Sequence, residues 1–268
     1  MSRFKSRAPN ELLFSAFALI IFTIAVHAVY VTVVRPKAEV LLAEQRAGML
    51  KDPNYVAERS LYVVMKDWEQ EAEVILGLWA FAIIGYKTWR GRRERELLSR
   101  DLVQVPEGMR ILPEDTRDYA RPLEALPPAE AECLLPRTLL VALYRFGATR
   151  NIQDVSDAAR GVCEAEADRL DSELSMLRYI AWAIPAIGFI GTVRGIGDAL
   201  GQAHRAVSGD VSGVTEGLGT AFNSTLVALL ISIVLMFLLH QLQLAQERRV
   251  LDTETYLDRY IIRHMQVR

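Results

Sequence analysis

Gly188-Phe-Ile-Gly-Thr-Val-Arg-Gly-Ile-Gly197 places four glycines, a threonine and an arginine in a segment otherwise apolar enough for lipid. Glycine at three- and four-residue steps flattens one face of a helix, so that a second backbone can come close. In a bilayer apolar burial gives helices little reason to associate, and such packing holds them together instead. The stretch reads as a membrane helix packed on another, with Thr192 and Arg194 present for a further reason.

Working outward, the apolar run begins at Tyr179, and Pro185 within it is expected to kink the helix. Further on, Gly217 to Gln246 is 30 residues without a charged side chain. Near the start, Leu12 to Val34 is 23 uncharged residues, about 34 Å as a helix against a hydrocarbon core of about 30 Å. It exceeds a usual signal-peptide core and ends without a small-x-small cleavage site, so it reads as a first span. His27 inside it is either a neutral, hydrogen-bonded histidine or a proton relay. Val74 to Tyr86 is a shorter uncharged run, but Lys87 can snorkel and Trp79 and Trp89 can sit at interfaces, which makes it a second span.

Composition agrees with a mixed membrane and cytoplasmic chain: of 268 residues 51 % are apolar, and mean hydropathy is +0.15. The net charge of −2 offers no footprint for nucleic acid. Lys87, Arg90, Arg92, Arg93, Arg95 and Arg100 form the densest basic cluster, lack interleaved aromatics, and mark the cytoplasmic side of the second span. Cys133 and Cys163 fit no metal or redox spacing and read as inert thiols.

The expected fold is an all-α integral membrane protein with four transmembrane helices, the last two extended into the cytoplasm as long helices. Its parts are a tail and first span (1–34), an outer helical segment (35–71) turning at Asp52-Pro-Asn54, and a second span (72–90). A cytoplasmic helical domain (91–176) follows, beginning with a proline-rich connector of limited core to about residue 150 and continuing as an amphipathic helix from Ile152. That helix runs without a breaker into the third span (177–203), which an outer loop (204–215) joins to the fourth (216–246) and a cytoplasmic C-terminal helix (247–268). An even number of spans puts both termini in the cytoplasm.

Counting along the helices places Thr192 about 20 Å up the third span and Thr225 about 12 Å down the fourth, at nearly the same depth. The two hydroxyls can line a polar path, or each can bond its own backbone four residues back. Asn223 and Ser224 make the fourth helix more polar than a lipid-facing one. Arg194 lies nearer the outer surface, paired with Asp198 four residues on or forming part of an outer vestibule. Neither span carries an acid at mid-depth, so the titrating carboxylate of any proton path is expected from a partner.

Ala183-Ile-Pro-Ala-Ile-Gly-Phe-Ile-Gly-Thr-Val-Arg-Gly-Ile196 resembles the A-P-x-x-G-L-L-G-T-V-x-G-M/I signature of the MotA/TolQ/ExbB proton-channel family, matching at Pro185, Gly188, Gly191, Thr192, Val193, Gly195 and Ile196. Ala221 to Leu229 is similar to its A-L-x-x-T-x-x-G-L signature, with Thr225 on the threonine and Ala228 for the glycine. The resemblance covers about residues 153 to 250. It implies a homo-oligomer, a pentamer, around a single-span partner of the ExbD, TolR or MotB kind that supplies an aspartate. It further implies an ion path, for protons before sodium, along Thr192, Thr225 and Asn223, with Pro185, Gly188, Gly191, Gly195 and Ala228 packing the helices. Such a stator or energy-transducing subunit works in the bacterial cytoplasmic (inner) membrane, driving mechanical work such as protein transport, without cofactor or metal.

Two departures stand out. The ExbB and TolQ branches have three spans, and the family's glutamate five positions before the second threonine is Thr220 here. A non-conducting oligomeric membrane scaffold is the alternative. No nucleophile and base pair, ligand set or phosphate loop points to an enzyme.

Overall fold

The computed structural model describes residues 8–51, 60–100, 102, 103, 105, 106 and 109–267, and these are helical almost throughout. The turn expected at Asp52-Pro-Asn54 and the terminal Arg268 lie outside them. In chain order come α1 (Ala8–Val29), a π-helical turn (Tyr30–Val34), α2 (Arg35–Lys51), α3 (Leu61–Val64), α4 (Trp68–Leu98), α5 (Thr116–Glu124), α6 (Pro128–Ala131), α7 (Leu134–Thr149), α8 (Ile152–Glu173), α9 (Ser175–Gly201), α10 (Ala203–Val207), α11 (Ser212–Tyr260) and a short 3-10 turn (Ile262–His264). They divide into two compact units, Met1–Ile84 with Met176–Leu239 and Gly85–Ser175 with His240–Arg268.

Three helices among the described residues are long and apolar enough to cross a membrane: Glu11–Gly48, Ile152–Gly201 and Ser212–His264. The helix expected as the second span, α4, is not one of them. Its uncharged run is bounded by Glu73 and Lys87, so a membrane-length window along it takes in charge. The supported fold is therefore all-helical with three candidate spans.

Within the first unit, α1 continues into α2 through the π turn rather than stopping at the charged Arg35. Pro36 explains the turn: in a regular helix its ring would press on the carbonyl of Thr32, and one wider turn relieves that contact. α4 lies beside α1, with the Trp79 indole donating to the Ser15 carbonyl at 2.9 Å. α9 runs unbroken through Pro185. The expected outer loop contains the short helix α10 and a turn at Gly209, whose φ of 97° favours glycine.

The second unit has more core than a proline-rich connector was expected to hold. Leu139, Ala142, Leu143 and Phe146 recur at three- and four-residue steps on α7 and are all fully buried, packing with Ile111, Leu123, Val155, Leu257 and Ile261. Prolines mark the connector's turns, but that apolar stripe supplies the core. α8 starts at an N-cap in which the Asn151 side chain accepts from the Gln153 amide at 2.9 Å. Buried Lys87 donates to Glu173 at 2.9 Å. Burial pushes the Glu173 carboxyl up, yet the hydrogen bond and charge of Lys87, with Arg169, hold it below its ordinary range.

The C-terminal helix ends at Tyr260 rather than running to the end of the chain. The last residues turn back to the connector, where the Ile111 amide donates to the His264 carbonyl at 2.8 Å and the Gln266 amide to the Ile111 carbonyl at 3.1 Å.

Candidate functional site

The site is built where α9 and α11 cross as antiparallel neighbours in the first unit. A methyl added at Gly195 would stand 2.5 Å from both the Ala221 nitrogen and the Gly217 oxygen, so at this level the two backbones themselves touch. Further along α9 towards its start, a methyl at Gly188 would meet the Ala228 methyl at 2.5 Å, and one at Gly191 would run into the Ser224 hydroxyl. Gly217 closes the seam at the start of α11, 2.6 Å by the same measure from the Ala199 nitrogen; its packing role is not evident from the sequence pattern. Pro185 is half-buried within α9.

This close approach brings Thr192 and Thr225 together. Their hydroxyl oxygens are in hydrogen-bonding contact. Each also reaches the carbonyl four residues behind the other: Thr192 donates to Ala221 O at 3.1 Å and Thr225 to Gly188 O at 3.2 Å. Thr192 lies a further 3.2 Å from Gly188 O on its own helix. Of the two modes open from sequence, the structure gives self-bonding at Thr192 and a shared polar site that joins both hydroxyls, with Thr225 bonding the other helix. Each hydroxyl has one proton and two lone pairs, so two of these contacts are donated at a time: either both carbonyls accept, or one hydroxyl donates to the other and one carbonyl keeps only its own helical N–H.

Asn223 does not join this pair. Two residues from Thr225 is about 200° round a helix, and Asn223 instead lines a cavity of about 230 Å³ with Leu42, Gln45, Arg46, Lys66 and Glu216. Arg194 is held chiefly by Glu69 of α4, through Nε to Oε1 at 2.6 Å and Nη2 to Oε2 at 2.9 Å. The expected partner Asp198 is 3.5 Å away and Asp67 equally so. A two-pronged guanidinium–carboxylate pair is the stronger arrangement, and Glu69 is fully buried whereas Asp198 is exposed. His27 bonds Glu71 at 2.6 Å, and Arg35 bonds the other oxygen of the same carboxylate.

α4 therefore supplies what the last two spans lack, with Glu69, Gln70, Glu71 and Glu73 all buried. Gln70 donates to the Ser224 hydroxyl at 3.3 Å. The sequence reading leaves Glu69 and Glu71 in an outer segment and gives Glu73 no role; the available signal is Glu69, Glu73 and Gly77 at four-residue steps on one helix face.

The residues of the seam fall inside a recognised stretch. Residues 135–255 match the MotA/TolQ/ExbB proton channel family. The MotA/TolQ/ExbB domain takes in α8, α9 and most of α11, with both threonines and Arg194, while Glu69 and Glu73 lie before it. Neither the curated proteins nor the solved structures compared with this chain gave a match. A membrane protein with a proton-channel-type role follows from the family and the apolar helices.

Proposed function

We propose that this chain is the channel-forming subunit of a stator-like machine that couples an ion-motive force, that of protons, to mechanical work on a partner protein. The observation that carries the reading is the reciprocal bonding of Thr192 and Thr225 across a glycine-packed seam inside a proton-channel domain. Two hydroxyls whose donors can be exchanged order water or receive a partner carboxylate; they do not titrate themselves. In this reading α4 is the second of four spans, since its Gln70 and Gly77 pack on α11 at Ser224 and Ile231 within the apolar length of that helix. The basic cluster after it faces the cytoplasm of a bacterial cell, the protein sits in the inner membrane, and both termini are cytoplasmic.

Exposed apolar side chains on α9 and α11, among them Phe189, Val193, Phe222, Leu230 and Phe237, suit contact with lipid and with further copies of the chain. Five copies then surround two single-span partners carrying an aspartate, and the machine runs without covalent catalysis. Imaging the chain purified together with its partner tests the architecture. A five-fold ring with Thr192 and Thr225 towards central helices is expected; threonines turned to lipid would refute it. In vesicles containing both proteins, Thr192→Ala and Thr225→Val should stop proton flux while assembly persists. Undiminished flux in both variants would refute the threonine path, and wild-type vesicles without proton flux would favour a non-conducting scaffold.

A further inference from the structure

One fully buried acid of the first unit takes no part in the threonine pair. Glu73 of α4 is fully buried, and neither of its carboxyl oxygens has a hydrogen-bond partner among the described residues. The Tyr30 hydroxyl and the Gln70 side-chain oxygen are buried and unpartnered in the same way. Tyr30 belongs to the π turn that Pro36 imposes, and it lies within the electrostatic reach of both Glu71 and Glu73. Unspent hydrogen-bonding capacity of this kind is rare in a folded interior and collects where a protein binds something polar.

The register locates this group. Gln70 meets Ser224 and Gly77 meets Ile231, seven residues on in both helices, so α4 and α11 run parallel and Glu73 falls level with Val227 and Ala228. Ala228 also packs against Gly188. Glu73 is thus level with the threonine pair to within about one turn of helix, but on the other side of the seam. Gly191 and Ser224 look towards α4, where the Glu69 side chain lies beside Gly191, and Thr192 and Thr225 sit about 100° further round their helices. Twelve residues separate Ala228 from Glu216, which puts Glu73 about 18 Å past the level of Glu216 along α11, near the middle of a hydrocarbon core of about 30 Å whose edge Glu216 marks.

We propose that Glu73 is a proton-binding site of this chain, entered from the Arg194 end of the bundle, past Asp67 and along the α4 face that carries Glu69. A charged carboxylate without a partner cation is costly in this interior, so Glu73 rests as the neutral acid. In exchange its O–H bond breaks as the proton passes to water or to a neighbouring oxygen, and the next proton restores it. The titratable and charged groups around it are Glu69 on α4, Tyr30 from the π turn, His27 and Arg35 held by Glu71, and Arg194 of α9 held by Glu69. At this level α11 presents Ser224 and Ala228, neither of which titrates. Among the described residues His27 and Arg35 are engaged by Glu71 and Arg194 by Glu69, which leaves Glu73 as the acid free to carry a proton. The proposal rests on the proton-channel reading, and it moves the first proton acceptor from the partner into this chain.

Infrared spectroscopy of the full chain in phosphatidylethanolamine and phosphatidylglycerol vesicles tests it. At pH 7 the wild type should show the carbonyl stretch of a protonated carboxylic acid, which shifts in D₂O and disappears in alkali. Glu73→Gln should lose this band and Thr192→Ala keep it. A wild type without the band, a band that survives Glu73→Gln, or one that never exchanges with D₂O overturns the proposal. If Glu73→Gln fails to insert, the pH and D₂O response of the wild type decides alone. Proton flux separates the two readings: flux undiminished in Thr192→Ala, with the band intact, removes the threonine path and leaves the Glu73 site standing.

Discussion

Gly195→Ala tests the seam most directly, because the structure states what the new methyl would strike. It would lie 2.5 Å from the Ala221 nitrogen and the Gly217 oxygen, both backbone atoms of α11 that no rotamer change can move. Non-bonded heavy atoms settle at about 3.5 Å, so the helices must part by about 1 Å at that level. Thr192 lies on the neighbouring turn, and its 3.1 Å bond to Ala221 O would lengthen to about 4 Å, beyond hydrogen-bonding range. Overpacking of this kind destabilises by about 1–3 kcal/mol, and rigid backbone on both sides places it at the upper end. The better helix propensity of alanine returns about 1 kcal/mol, for a net loss of about 2 kcal/mol. Gly197→Ala on the same helix meets nothing within 4 Å and should gain that propensity alone. Thermal and denaturant unfolding of the two purified variants in one detergent should therefore differ by about 3 kcal/mol, with flux lost only in Gly195→Ala. Equal stability of the two would refute the close backbone approach, and with it the account of how the threonines are brought together.

Arg194→Ala should strand the buried Glu69 carboxylate and destabilise by about 3 kcal/mol, the low end for a broken buried pair because the arginine is partly exposed. Arg194→Met combined with Glu69→Met should recover most of that loss, and a double-mutant cycle with no coupling would show the pair to be incidental. In the second unit burial pushes the Cys163 thiol up to about 11. An unfolded thiol ionises at about 8.5, so the unfolded chain releases its proton first as pH rises. The stabilisation is complete below about pH 8.5 and is lost as pH climbs towards 11. Maleimide at pH 8 should label Cys163 after denaturation and leave it untouched in the folded protein; rapid labelling of the native chain would contradict this burial.

Residues whose role depends on neighbours along one helix are legible in the sequence. Gly188, Gly191 and Gly195 lie on one face by periodicity alone, and constant rise per residue places Thr192 and Thr225 at one depth; in the fold their hydroxyls touch. What escapes a linear reading is the relation between distant segments. Glu69 is 125 positions from Arg194, and in one dimension an arginine is naturally matched to the acid one turn away, Asp198. Asn223 groups with Thr225 by proximity in sequence, although two residues that far apart on a helix point to opposite sides. Glu73 is hidden by its position at the edge of a short uncharged run, where an acid reads as a boundary. Only the packing of α4 on α11 turns that boundary into an interior.

The return of the last residues to Ile111 has a consequence for biosynthesis. The second unit is assembled from residues 85–175 and 240–268, and its final stitch joins Ile111 to His264 and Gln266. Synthesis runs from the N- to the C-terminal end, so everything between, including α9 and the apolar half of α11, leaves the ribosome before that stitch can form. A chain cut short after Tyr260 would lose Ile261 and Met265 from the cover of Ile111 and the Leu139 to Phe146 stripe. Closure of this unit is thus a late event, made by residues 261–266 only after the segments they cover have been synthesised.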